Sequence, residues 1–174
     1  METSDRLKIY QGFAELGRKW SQVMDTKAGF LSALNVAIIS FIWIWAKLGS
    51  ASGCVHILAM IATALAILSL CISLWVVLPR TTLKHALGKD LKYSSGYKAI
   101  SFYGYVATTY PHDKHKEFMS DVNAIDEEGF IQEALEQHYT ISHVVQKKSN
   151  RVVWAGYLWL IAVIVVTAAM YMKG

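Results

Sequence analysis

The chain has 174 residues, 54% of them hydrophobic, and its 17 Lys and Arg against 13 Asp and Glu leave a net charge of +4. With about 60 residues committed to apolar runs, no large independent catalytic domain fits, and residues 1–174 read as a single unit. Two cysteines without a C-x-x-C exclude a disulfide framework or thiolate metal centre. A charge of this size needs no nucleic acid, because basic side chains beside anionic headgroups account for it.

Residues 1–27 are charged throughout and lack the apolar core of a signal peptide. Within them Ile9, Phe13, Leu16, Trp20 and Val23 recur at i, i+4, i+7, i+11 and i+14, the stripe of an amphipathic helix. No proline separates this helix from the first apolar run, residues 28–46 (AGFLSALNVAIISFIWIWA). A short hairpin, 47–56, leads to the second run, 57–78, and the third occupies 152–172. Each run holds 19–22 residues without a charge, enough for a helix of roughly 30 Å, the thickness of a bilayer's hydrocarbon core. Helices of a soluble domain keep a polar stripe. The fold class is therefore an all-α integral membrane protein with three transmembrane helices and helical cytosolic extensions forming a bundle or stalk. Trp43, Trp45, Trp75, Trp154 and Trp159 lie in or at the ends of the runs, where Trp favours the interface.

Between the second and third runs, residues 79–151 form a cytosolic helical region. Pro79 ends the second helix, and TYPHDKH (109–115) reads as a turn. Asp126, Glu127 and Glu128 place negative charge at a helix N-terminus. From Phe130 to Ala155 there is neither Gly nor Pro, so the third span is expected to begin as one helix about 25 residues earlier. Its apolar face (Phe130, Ala134, Ile141, Val145) is expected to pair with the N-terminal stripe as a coiled-coil-like stalk. Fifteen Lys and Arg lie in 1–27 and 79–151 against Lys47 and Lys173 elsewhere. The positive-inside bias places the N-terminus in the cytoplasm and the C-terminus outside.

His112 and His115 lack a third ligand nearby, and no G-x-S-x-G, H-E-x-x-H or P-loop occurs. No catalytic residue, metal ligand or cofactor is assigned. Asp25, Gly29, Ser32 and Asn35 recur at i, i+4, i+7 and i+10 of the first span, and Ala62, Ala66, Ser69 and Ser73 form a small-residue stripe on the second. Two readings stand: close helix packing with hydrogen bonds across it, or a water-filled path or gate. Lys27, next to the first run, can snorkel to its edge. Arg80, Lys92 and Lys98 are candidate phosphate partners, and Tyr97 and Tyr103 candidate stacking surfaces for a base; aromatic packing between helices is the plainer account.

Several segments together resemble the Pycsar transmembrane effector family: DTKAGFLSALNVAIISF at the mouth of the first span, VLPR (77–80), SFYGYVATTYPHDKHKEF (101–118) and HYTISHVVQKKSNRVVWAG (138–156). The likeness covers residues 20–172. The chain departs from that pattern at Lys147-Lys148-Ser149-Asn150, where the family often places a Lys followed by an aromatic residue.

The resemblance implies a role in bacterial antiphage defence. A partner cyclase makes a cyclic nucleotide, cyclic UMP or cyclic CMP in Pycsar systems. The effector, in the lipid bilayer of the inner membrane with its C-terminus periplasmic, then impairs membrane integrity and causes growth arrest or death. The expected form is a homo-oligomer without enzymatic activity. A constitutive ion channel or transporter subunit and a membrane scaffold with a partner-binding stalk are the alternatives.

Overall fold

The structure, a computed structural model, describes residues 3–51, 53–78, 100 and 103–173, with backbone only at 3, 4, 103 and 104. Helix α1 runs unbroken over Thr3–Ser40 and closes in a π-helical turn, Phe41–Trp45. A 3-10 turn, Leu48–Ser50, leads to α2, Cys54–Val77, which takes in Cys54, Val55 and His56 ahead of the apolar run. Helix α3 is Tyr103–Thr109, followed by a 3-10 turn at His112–Lys114 and α4, His115–Asn123. Helix α5 then spans Glu127–Lys173, 47 residues. Among the described residues there is no strand. Three helices are long and apolar enough to cross a membrane: Asp5–Trp45, Cys54–Val77 and Glu127–Lys173.

The chain divides into two compact units. The first, the charged unit, comprises Met1–Ser21 with Pro79–Gln146. Asp126 caps α5 here, its Oδ1 accepting from the Gly129 amide at 2.8 Å, and Glu127 and Glu128 fill the first turn, where the helix dipole favours negative charge. Helix α5 meets α1 through its expected face, but α1 answers mainly with another. Ala134 is buried as foreseen, with Ile131 beside it, whereas on α1 the buried residue of this unit is Ala14; Ile9, Leu16 and Trp20 stay exposed, and Phe13, also exposed, meets the His138 ring of α5 at 5.6 Å. Gly17 explains the preference: a Cβ there would stand 2.6 Å from Ile141 Cγ2, so small residues let the helices approach where large ones would hold them apart.

The second, apolar unit comprises Gln22–Leu78 with Lys147–Gly174. Ala28, Ala59, Ala62, Ala66, Ala155, Ala162 and Ala169 are all 0% exposed, so the three helices meet through methyl groups, the packing that membrane helices favour. At one end Ile42, Ala46, Leu48, Ala59, Ala62, Val166 and Ala169 form a core cluster. There the Lys173 ammonium donates to the Ala46 carbonyl at 2.6 Å and Trp43 Nε1 donates to Thr63 Oγ1 at 3.1 Å. Lys47 takes a left-handed conformation, φ 47°, and Gly53 sits at φ 63°; these two residues turn the chain between spans. Phe30, Val36, Ile44, Ile57, Leu68, Trp75 and Ile164 point outward, the side chains a lipid tail would meet.

In the charged unit Tyr110 closes against α4. Its hydroxyl donates to Asp121 Oδ2 at 2.6 Å and its ring meets Phe118 edge-on at 5.3 Å. The hydrogen bond to Asp121, followed by burial, pushes the phenol up to about 12 from its ordinary 10.0. A folded-state value above the unfolded one stabilises the fold fully below pH 10.0, and that contribution disappears as pH rises through about 12. Tyr110→Phe should therefore lower the thermal midpoint at about pH 8, and its gap to the parent should hold up to pH 10.0 and narrow from there toward about pH 12. A gap that stays constant across that range would show the bond to be idle.

Candidate functional site

At the middle of the apolar unit one polar node joins all three helices. Asn35, fully buried on α1, donates from Nδ2 to its own Leu31 carbonyl at 2.8 Å and to Ser69 Oγ of α2 at 2.9 Å. The Ser69 hydroxyl in turn donates to the Ala155 carbonyl of α5 at 2.7 Å. Among the described residues of this unit four polar atoms are buried with no partner: Asn35 Oδ1, Ser73 Oγ, Trp159 Nε1 and Arg151 Nη1. In a low-dielectric interior an unmet polar atom costs more than a made bond returns. The node is thus both a tie and a point of tension.

Where α1 and α5 enter the apolar unit a charged layer follows. Lys148 Nζ donates to both carboxylate oxygens of Asp25, at 2.7 and 2.8 Å, with the lysine side chain only 14% exposed and the aspartate 36%. One turn along, the Arg151 guanidinium lies 5.7 Å from the Trp75 ring centre, and its Nη1 is buried without a hydrogen bond. The pair Asp25–Lys148 ties α1 to α5, and Arg151 over Trp75 ties α5 to α2.

In the charged unit a cleft of about 370 Å³ opens between α1 and α5, lined by Gln11, Glu15, Arg18, Phe130, Glu133 and Gln137 among others. Arg18 Nη2 donates to Gln137 Oε1 at 3.0 Å, and Glu133 is buried. Among the described lining residues two carboxylates stand near one guanidinium, Glu15 being paired with Lys19 at 3.0 Å, and the amides and Phe130 suit the edge and face of a base.

Of the residues expected to line one face of the first span, Asn35 is buried, Asp25 and Ser32 are half-buried and Gly29 is exposed; Lys27, beside the run, is exposed too. Ser32 returns its hydroxyl to the Ala28 carbonyl at 2.9 Å. The buried face runs instead through Met24, Ala28, Leu31, Asn35 and Ile42, because at about 100° per residue the spacing 0, 4, 7, 10 drifts across some 120° of the helix. On α2, Ala62, Ala66, Ser69 and Ser73 are all buried, so this stripe and the Asn35 face are consumed by packing within the chain. The sequence reading missed Lys148 as the partner of Asp25, although the departure at Lys147-Lys148 marked the place. Arg80, Lys92, Tyr97 and Lys98 lie outside the described residues, as does the side chain of Tyr103. His112, in its turn, and His115, the first residue of α4, are both exposed, and among the described residues no His, Cys, Asp and Glu cluster suited to a metal occurs.

A family model described as the Pycsar effector protein domain matches residues 14–173 of the 174. The chain belongs to this family. Membership makes it an effector of antiphage defence carried on membrane-spanning helices, and the family implies a cyclic nucleotide signal from a partner cyclase. No curated protein and no solved structure matches it. The match runs through the whole polar node and the charged layer, from Asp25 and Asn35 to Ser69, Lys148 and Ala155.

The two serines of α2 separate the contributions of this effector's polar groups. Ser69→Ala removes the link between three helices and should lower stability by about 1 kcal/mol, as for interhelical hydrogen bonds in membranes. Ser73→Ala deletes a hydroxyl without a partner and should be neutral or mildly stabilising. Unfolding of the detergent-solubilised protein in a denaturant titration measures both; equal losses would show that the node carries no special weight.

Proposed function

We propose that the protein is a nucleotide-gated, membrane-disrupting effector, inert until a cyclic nucleotide binds and free of catalytic activity and cofactors. The observation that carries this reading is the family match, which runs from residue 14 to 173 and so takes in most of the charged unit as well as the three apolar runs. A chain that only anchored an enzyme would share the spans alone. In this reading the protein sits in the bacterial inner membrane with its N-terminus cytoplasmic and its C-terminus periplasmic. The distribution of Lys and Arg supports that orientation.

The resting state is the packed bundle. Alanines at 0% exposure leave no lumen within one chain, which supports an active form built from several copies. Moving such an assembly from mostly closed to mostly open requires about 5.5 kcal/mol of preferential binding to the open form, a demand that several nucleotide sites share. Arg80, Lys92 and Lys98, with Tyr97 and Tyr103, are the proposed capture residues, by the fit of guanidinium to phosphate and of aromatic faces to a base. Asp25 and Lys27 set the depth of the first span in the same scheme, and the bond from Lys148 to Asp25 supports that role.

Purified protein in dye-loaded liposomes tests the reading directly. No leakage is expected alone, and release is expected on adding cyclic UMP or cyclic CMP. Asp25→Ala should weaken release while leaving insertion intact. Leakage without any nucleotide would support the constitutive channel instead, and silence despite measured nucleotide binding would remove membrane disruption from the mechanism.

A further inference from the structure

In the charged unit α1 presents three faces. Ala14 and Gly17 lie against α5. Gln11, Glu15 and Arg18 line the cleft. The third face carries the largest apolar side chains, Ile9, Phe13, Leu16 and Trp20, exposed at 43, 45, 54 and 50%. Phe13 meets the His138 ring of α5 at 5.6 Å, yet about half of each of the four side chains stays uncovered, more than a helix in water leaves bare.

The spacing of this face is 4-3-4, continued by Val23 at the next step of three. An average of 3.5 residues per repeat is the seam of a coiled coil, in which a second helix winds with the first and keeps the stripe covered. We propose that this stripe is a self-association surface, covered by α1 of a second copy of the chain packed parallel to it.

Four observations select a second copy. First, a helix lying flat on a membrane must break before it turns into a span, and α1 is unbroken from Thr3 to Ser40. Second, copies inserted in one membrane carry identical stripes on helices that point the same way and in register. Third, Gly17 and Met24 on one flank of the seam are already covered within the chain, while the open flank carries Asp5, Gly12 and Lys19, which place no run of like charge beside a second helix. Gly12 has nothing within 4 Å of where a Cβ would stand, which leaves that flank open for close approach. Fourth, half-exposed side chains of this size offer on the order of 400 Å² per copy, about half of what each partner gives to a standard interface; confinement to a bilayer supplies the rest by raising effective concentration.

Cysteine mapping in a Cys54→Ser, Cys71→Ser background tests this without any nucleotide, so its outcome is separate from that of the gating experiment. Single variants Ile9→Cys, Phe13→Cys, Leu16→Cys and Trp20→Cys, with Gln11→Cys and Arg18→Cys as controls on the opposite side, are reconstituted at low density in liposomes and oxidised. The stripe positions should give roughly tenfold more covalent dimer than the controls. Adding Leu16→Glu and Trp20→Glu to the Ile9→Cys variant should abolish its dimer with helix content by circular dichroism unchanged. A yield that is flat across the six positions, no dimer at any stripe position, or a dimer that survives the glutamates would overturn the proposal.

Discussion

In hydrocarbon every backbone amide must find its partner inside its own segment, and this constraint shapes the rest of the molecule. It forces helices, and helices without a hydrophobic driving force between them associate only if they come close. Alanines at every crossing provide that closeness, and the Asn35–Ser69–Ala155 relay then fixes the register that the alanines alone leave loose. A slip of one residue on α2 would carry Ser69 away from both partners.

The charged layer plays a different part. Asp25 is more than a third exposed, so its bond to Lys148 is screened and adds little to stability. Its value is positional: it holds α1 and α5 together at the charged end of the apolar unit, where neither alanine packing nor the node reaches. Arg151 over Trp75 does the same for α2. The apolar unit is thus clamped at its centre by buried hydrogen bonds and at one end by partly buried charges, of which the Asp25 carboxylate is open enough to feel salt and neighbouring phosphates as the centre does not.

Much of the architecture was legible from periodicity and punctuation. The absence of proline before Ala28 foretold an unbroken α1, and the stretch free of Gly and Pro from Phe130 foretold the long α5. The cap at Asp126 was visible as a cluster of acids. Pairing between helices was less so, because an apolar stripe announces that a face wants covering but not which helix covers it. The strong stripe of α1 points toward α5, whereas a glycine and an alanine decide the contact. Burial of Asn35 apart from Gly29 likewise depends on angular drift over ten residues, which residue spacing alone hides. Lys148 could be found only by asking what neutralises Asp25 at that depth.

The unpartnered atoms Asn35 Oδ1, Ser73 Oγ and Trp159 Nε1 have a consequence for how readily the helices part. A dry interface made only of methyl groups resists wetting, since water entering it gains nothing. Here each unmet group returns about 1–3 kcal/mol of desolvation cost once a water reaches it. Hydration of the seam would therefore offset part of the dispersion attraction that separating the helices removes. The seam thus mixes methyl groups, which hold the helices together, with polar atoms that favour hydration once the helices part.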